Sequence, residues 1–168
     1  MVDTPNPTLP WYQHSLQWPL LLALALPTLW FGVKMQQAGK QKTVIEGIEN
    51  LGGLVWYDYQ FDGGDIPHTE DAQPPGPPWL RRLIGDDFFR TVTKLDLTQT
   101  EIPDAGLKKL EGLTDLQSLS LGEGVTDAGL VHLQGFIQLQ TLDLTKTRCT
   151  AAGLLELQEA LPNCKIHR

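Results

Sequence analysis

Leucines recur in a fixed order through the C-terminal part of the chain. Three Leu-x-Leu triplets follow one another at steps of 24 and 23 residues, and each is followed by a polar turn and a Leu-x-x-Leu pair. Period-two alternation predicts a short strand with both leucines on one face, and leucines three apart predict a short helix with both on one side. The triplets are Leu95-Asp96-Leu97, Leu119-Ser120-Leu121 and Leu142-Asp143-Leu144, and the pairs are Leu107 with Leu110, Leu130 with Leu133 and Leu154 with Leu157.

The segments between strand and helix are also alike. They read Pro103-Asp104-Ala105-Gly106-Leu107, Thr126-Asp127-Ala128-Gly129-Leu130 and Thr150-Ala151-Ala152-Gly153-Leu154. We interpret Asp104 and Asp127 as acceptors for the unpaired amides at the start of their own helices, a duty that Thr126 or Thr150 could share. The glycines are interpreted as packing positions where a missing side chain lets neighbouring helices approach.

This pattern resembles bacterial leucine-rich repeat proteins, in particular the subtype whose short repeats carry a Thr-Asp-Ala-Gly-Leu turn. The resemblance covers roughly the last 75 residues, about three repeats. It implies an α/β fold, a short solenoid with parallel strands on one face and short helices on the other. The chain departs from the pattern at the asparagine that many such repeats place after the strand, at the third aspartate, and in a middle copy one residue short. The departing residues are Thr100, Gly124 and Thr147 for the asparagine and Ala151 for the aspartate.

A stacked array exposes apolar ends, which require caps. At the front, residues 79–84 predict a short amphipathic helix, and Phe89 and Val92 predict a half-repeat behind it. At the back, Pro162 ends the last helix, and Cys164 and Ile166 predict the start of a final strand. We therefore predict a capped array over residues 79–168.

An uncharged, leucine-rich stretch precedes these repeats. Residues 16–33 contain no charged side chain, and tryptophans stand near both ends, which predicts a single transmembrane helix after a tail over residues 1–15. One alternative is a cleavable signal peptide, but no Lys or Arg precedes Lys34. The other is a buried soluble helix, which Pro19 and Pro27 would disrupt. Because Lys34, Lys40 and Lys42 follow the stretch, the positive-inside rule places the repeats in the cytoplasm. The expectation is a single-pass membrane protein that contacts lipid through this anchor.

The stretch over residues 34–61 predicts a juxtamembrane helix and strand. Val44, Ile45, Ile48 and Leu51 recur at helical spacing before Gly52-Gly53, and aromatic residues follow. Residues 62–78 hold five prolines and three glycines, the composition of an extended linker.

Composition limits the chemistry. A formal net charge of −7 without a basic stripe argues against a nucleic-acid partner. The turn from Asp58 to Gly64 has part of the spacing of a calcium loop but lacks its last ligand, and we interpret it as an ordinary polar turn. Cys149 and Cys164 occupy apolar positions and are interpreted as core residues rather than a disulfide, a reactive thiol or zinc ligands. We predict no cofactor, no metal site and no enzymatic activity, because no set of nucleophile, base and oxyanion donors can be assembled.

The predicted functional surface is the outward face of the strands. Successive strands align their outward residues in columns, and concave repeat surfaces commonly receive proteins or peptides. We predict an interaction or scaffold module whose partner is an unidentified protein or peptide. The alternative is a structural spacer, or an accessory domain of an envelope assembly, with no specific ligand. The predicted contact residues are Lys94, Asp96, Thr98, Ser118, Ser120, Thr141, Asp143 and Thr145.

Overall fold

The structure is a computed structural model that describes residues 17–61 and 72–168, with side chains described from residue 25 onward. The chain divides into two compact units, Met1–Gln36 and Gln37–Arg168. The predicted tail over residues 1–15 and most of the predicted linker lie outside the described residues.

The described part of the chain is α/β. Its α-helices are α1 (Gln17–Asn50), α2 (Pro78–Ile84), α3 (Asp104–Leu107), α4 (Asp127–Leu130) and α5 (Ala151–Ala160). Its strands are β1 (Leu54–Tyr57), β2 (Val92–Leu97), β3 (Ser118–Leu121), β4 (Thr141–Asp143) and β5 (Lys165–His167). Short 3-10 helices cover Asp58–Gln60, Asp86–Phe88, Lys108–Gly112 and Val131–Leu133.

The five strands form one mixed sheet in the order β1-β2-β3-β4-β5. Strands β2 to β5 are parallel neighbours, with Leu95 opposite Leu119, Leu119 opposite Leu142, and Leu142 opposite Ile166. The leucines of the three triplets are at most 1% exposed, so each strand turns them away from solvent. Since α3, α4 and α5 contribute Leu107, Leu130 and Leu157 to the same cluster, the core lies between the sheet and these helices.

The sheet contains one more strand than the parallel strands predicted for the repeats, because the strand predicted in a separate module joins it. β1 pairs antiparallel with β2, Val55 facing Leu95 and Trp56 facing Lys94. The end of α1 joins the same core, with Ile45 and Ile48 buried and Val44 packed against them. By contrast, Trp79 and Leu83 of the predicted front cap are 67% and 75% exposed. The first leucine strand is therefore covered by residues before the proline-rich segment, which supply more apolar surface there than α2 does.

The predicted membrane helix is also wrong. Within residues 17–61 and 72–168, no helix is long and apolar enough to cross a membrane. α1 begins at Gln17, holds Pro27 and Thr28 among its leucines, and becomes polar from Lys34 onward, so its apolar stretch is diluted and short. The predicted single-pass membrane localisation, with the repeats on the cytoplasmic side, is corrected with it. The expected lipid contact depended on that anchor and loses its basis.

The aspartates at the start of α3 and α4 accept hydrogen bonds from the threonine that precedes the next helix along the chain. The residues that precede α3, α4 and α5 are Pro103, Thr126 and Thr150, so neither Asp104 nor Asp127 caps its own helix. The carboxylate of Asp127 accepts the N–H of Thr150 at 2.7 Å and its hydroxyl at 2.6 Å. Our interpretation of the two aspartates as caps of their own helices is therefore corrected.

The turns after the strands explain the missing asparagines. The hydroxyls of Thr100 and Thr147 donate to the carbonyls of Leu97 and Leu144 at 2.8 and 2.7 Å, which closes each turn on itself. In the turn that follows β3, a Cβ added at Gly124 would lie 2.5 Å from the carbonyl oxygen of Ile102. A glycine at this position therefore lets the shorter turn pass against the preceding one.

Candidate protein-binding face of the sheet

The outward residues of the sheet form two rows that run across the strands. The backbone register places Lys94 beside Ser118, Ser118 beside Thr141, and Thr141 beside Lys165. The second row lies two residues further along each strand, where side chains return to the same face. It runs Leu54, Asp96, Ser120, Asp143 and His167.

All eight predicted contact residues fall on this face or at its edge. Lys94, Asp96, Ser118, Ser120, Thr141 and Asp143 lie in β2, β3 and β4, and Thr98 and Thr145 follow β2 and β4. Thr145 is exposed and the other seven are half-buried. The structure thus brings them together; whether they bind a partner stays a prediction.

The two aspartates of the face are held in the same way. Asp96 Oδ1 accepts the backbone N–H of Thr98 at 2.8 Å, and Asp143 Oδ1 accepts that of Thr145 at 2.9 Å. The hydrogen bonds from Thr145, its backbone N–H first, lower the pKa of Asp143 against a weaker opposing effect of burial. Asp143 is therefore ionised at neutral pH, and a carboxylate fixed by backbone amides keeps a defined direction.

An aromatic corner closes the face at β1. The ammonium of Lys94 lies 5.7 Å from the ring centre of Trp56 and 5.6 Å from that of Phe61. Cation–π contacts of this length draw the ammonium towards the β1 edge. Leu54, 55% exposed, continues the apolar surface beside Asp96. The corner consists of Leu54, Trp56 and Phe61.

Five residues of this face were not predicted from the sequence. Leu54, Trp56 and Phe61 were assigned to a separate module because pairing of β1 with β2 joins segments that the proline-rich stretch separates. Lys165 and His167 flank Ile166, which was predicted to lie in a final strand, so period-two alternation was a usable signal for both. Leu54 and Trp56 carried the same signal, but only the pairing shows which sheet they join.

No protein-family model matches this chain, and no curated protein matches it. The resemblance to leucine-rich repeat proteins therefore rests on the sequence pattern alone and stays a prediction.

The second row contains residue types that serve in catalysis, but in an order that does not suit it. Ser120, Asp143 and His167 occupy neighbouring strands, with Asp143 in the middle. A serine nucleophile requires the imidazole beside it and the carboxylate behind the imidazole. Here Ser120 and His167 are two strands apart, about 9.6 Å at the usual strand spacing.

The remaining sequence candidates lie away from this face. Cys149 and Cys164 are buried and unpaired, and burial raises the pKa of both thiols, as expected for core residues. Asp58 of the turn with calcium-loop spacing accepts the N–H of Thr91 at 3.3 Å, while residues 62–64 of that turn lie outside the described residues. Among the described residues, no group of three or more His, Cys, Asp or Glu could hold a metal ion.

Proposed function

We propose that residues 37–168 form a protein-interaction module of the leucine-rich repeat type, and that the outward face of its sheet is the binding surface. The main support is the register of β2, β3 and β4, which sets six of the predicted contact side chains in two straight rows. A protein can contact such rows through side chains alone while the sheet keeps its backbone hydrogen bonds.

Two further features support this proposal. The aspartates that project from the face are fixed by backbone amides, so little side-chain entropy is lost when they bind. The corner of Leu54, Trp56 and Phe61 adds apolar surface beside the charged rows, and aromatic residues are enriched in protein interfaces. The face is small, so we expect a weak contact, or one strengthened by a second attachment.

Site-specific photocrosslinking in cells tests the proposal. A photoreactive residue at Ser120 should give a discrete protein adduct, whereas one at Glu156, an exposed position of α5 on the other side of the core, should not. Charge reversal at Asp96 and Asp143 to lysine should remove the Ser120 adduct. Reversal of Glu156 and Glu159 should leave it. A structural spacer predicts instead that no adduct depends on Asp96 and Asp143, and that result would reject the proposal.

A further inference from the structure

We propose that a cavity beside α2 binds a phosphate group, either free inorganic phosphate or the phosphate monoester of a small molecule. This arginine cavity has a volume of about 630 Å³, and its lining includes Tyr59, Arg81, Arg82, Asp86 and Arg90. Its volume lies within the range of small-molecule sites, roughly 300–1,000 Å³. The cavity shares none of these residues with the outward face of the sheet, so the proposal is independent of the protein-binding function.

Helix α2 turns a charged side chain inward and apolar side chains outward. The side chain of Arg81 is 14% exposed, whereas Trp79 and Leu83 are exposed. A helix that only covered the leucine core would show the opposite arrangement. The guanidinium of Arg81 is fixed by the segment before α2, because Nη1 donates to the carbonyl of Pro74 at 3.2 Å and Nη2 donates to Oε1 of Gln73 at 3.0 Å. The inward position of α2 is thus occupied by a cation of defined orientation.

Two arginines of the cavity have more donors than the protein has acceptors for them. The Nε–H groups of Arg81 and Arg90 are buried and have no hydrogen-bond acceptor among the residues that the structure describes. Oxygens of Asp86 lie 3.9 Å from Nε of Arg81 and 3.8 Å from Nη2 of Arg90, which is beyond hydrogen-bond length. Because a buried donor without an acceptor costs free energy, acceptor oxygens brought by a ligand would stabilise both side chains.

The arginine cavity carries a surplus of positive charge. Its described lining contains three arginines and one aspartate, which leave a formal charge of +2. Asp87 also pairs with Arg90 at 3.8 Å, but it is shared with Lys42 at 3.5 Å. A phosphate monoester carries roughly −1.5 to −2 at pH 7 and offers three strong acceptor oxygens. It therefore matches this surplus better than a carboxylate with a single charge does.

Two tyrosines position Arg90 and add a donor. The guanidinium of Arg90 lies 5.4 Å from the ring centre of Tyr57, and the rings of Tyr57 and Tyr59 are stacked with their centres 5.6 Å apart. Burial raises the pKa of Tyr59 against the opposing charge of Arg90. The phenol of Tyr59 is therefore protonated at neutral pH and can donate to an anion in the cavity. Guanidinium groups and a phenol together are donors that suit the oxygens of a phosphate.

Isothermal titration calorimetry on the full chain tests the proposal. Inorganic phosphate, ethyl phosphate and acetate would be compared at pH 7.5 and equal ionic strength. We expect at least one phosphate probe to bind about tenfold more tightly than acetate, because it has more charge and more acceptor oxygens. Tighter binding of ethyl phosphate would assign the cavity to a monoester, and tighter binding of inorganic phosphate would assign it to the free anion. Equal affinity for all three probes, or binding of none, would overturn the proposal.

A pair of matched variants separates the cavity from general electrostatics. Arg81→Lys keeps the positive charge but removes the guanidinium, and it should weaken phosphate binding about five- to tenfold. The same change at Arg148, whose side chain is 74% exposed, should leave binding unchanged. Circular dichroism should show both variants folded; if Arg81→Lys does not fold, Arg82→Lys, at an exposed position of the same cavity, tests the same loss. Unchanged binding in the cavity variant, or equal losses at both sites, would contradict the proposal.

Nuclear magnetic resonance gives a second measurement that requires no variant to fold. On saturation with the tighter phosphate probe, the Nε–H signals of Arg81 and Arg90 should shift while that of Arg148 stays in place. Equal shifts at all three arginines would show that the anion binds without preference for the cavity, and the proposal would then fail.

Discussion

Asp104, the first residue of α3, binds Thr126, the residue before α4, by two hydrogen bonds. The backbone N–H of Thr126 donates to Oδ1 at 2.8 Å and its hydroxyl donates to Oδ2 at 2.6 Å. Asp127 binds Thr150 in the same way, so the link repeats along the helix layer. Pro103, which stands where the later units have threonine, has neither donor, and Ala151 stands in the last described helix without a carboxylate. Pro103 and Ala151 therefore stand at the two ends of this series of aspartate–threonine links, where the hydrogen-bonding side chain is absent.

Replacement of Asp104 by alanine should destabilise the fold. It leaves the N–H and hydroxyl of Thr126 without their shared acceptor, and a lost hydrogen bond to a charged group costs about 1.5–3 kcal/mol. We expect the free energy of unfolding in urea to fall by about 2 kcal/mol, with an unchanged dependence on denaturant. Glu156→Ala, which removes an exposed carboxylate from α5, should change it by less than about 0.5 kcal/mol.

The hydroxyl of Thr126 also accepts the N–H of Ala128 at 3.3 Å. A double-mutant cycle separates the energy of the Asp104–Thr126 link from that of this second hydrogen bond. Thr126→Val should cost less in the Asp104→Ala background than in the parent, by about 1 kcal/mol. Additive losses would contradict the direct link.

Gly153 should not tolerate a methyl group. A Cβ there would overlap the Oδ1 of Asp127 and lie 2.6 Å from its Cγ. We expect Gly153→Ala to cost about 1–2 kcal/mol net, because overpacking outweighs the gain in helix propensity. The control is Gly135→Ala, where an added Cβ meets nothing within 4 Å and φ is not positive. This change should be neutral or slightly stabilising in the same thermal melts.

The link from Asp127 to Thr150 should be visible by carboxyl titration. Hydrogen bonds from the side chain and then the backbone of Thr150 lower the pKa of Asp127. Because this pKa lies below its unfolded value, the stability contributed is fully present above about pH 4 and is lost as pH falls through the folded pKa. Thr150→Val removes the larger cause and should raise the pKa of Asp127 towards its ordinary value in an NMR titration.

Asp143 is the internal control for that titration. Its pKa is lowered mainly by the backbone N–H of Thr145, which Thr150→Val leaves in place. We expect its midpoint to stay constant while that of Asp127 moves. Equal movement of both would point to a general loosening of the fold.

The periodic part of the chain was predictable because its signal is local. Leucines at period two and period three fix which face of a strand or helix is apolar, without reference to any distant residue. The direction of the aspartate links was not predictable in this way, because a carboxylate in that position can cap its own helix or reach the next one. Pro103 and Ala151 contained the missing signal, since the first cannot donate and the second cannot accept.

Which residues belong to the outward face of the sheet depends on the pairing of strands that are distant in the sequence. Asp96, Ser120 and Asp143 follow from strand alternation, and the register places them in one row. Trp56 joins that face because β1 runs antiparallel beside β2, and no local pattern specifies which strand an aromatic segment will pair with. Ile48 joins the core for the same reason.

Ile48 therefore tests whether the end of α1 belongs to the fold. It is 4% exposed within the core, whereas Leu51, one turn later, is 61% exposed. We expect Ile48→Ala to lower the free energy of unfolding by about 2–4 kcal/mol, since it leaves a cavity beside Leu97, and Leu51→Ala to lower it by less than about 0.5 kcal/mol.

A fragment of residues 79–168 should likewise fail to unfold cooperatively in urea, because β2 would lose both β1 and the residues of α1 that cover its leucines. Equal stability of the two alanine variants, together with a cooperative fragment, would show that the leucine strands fold without this cover.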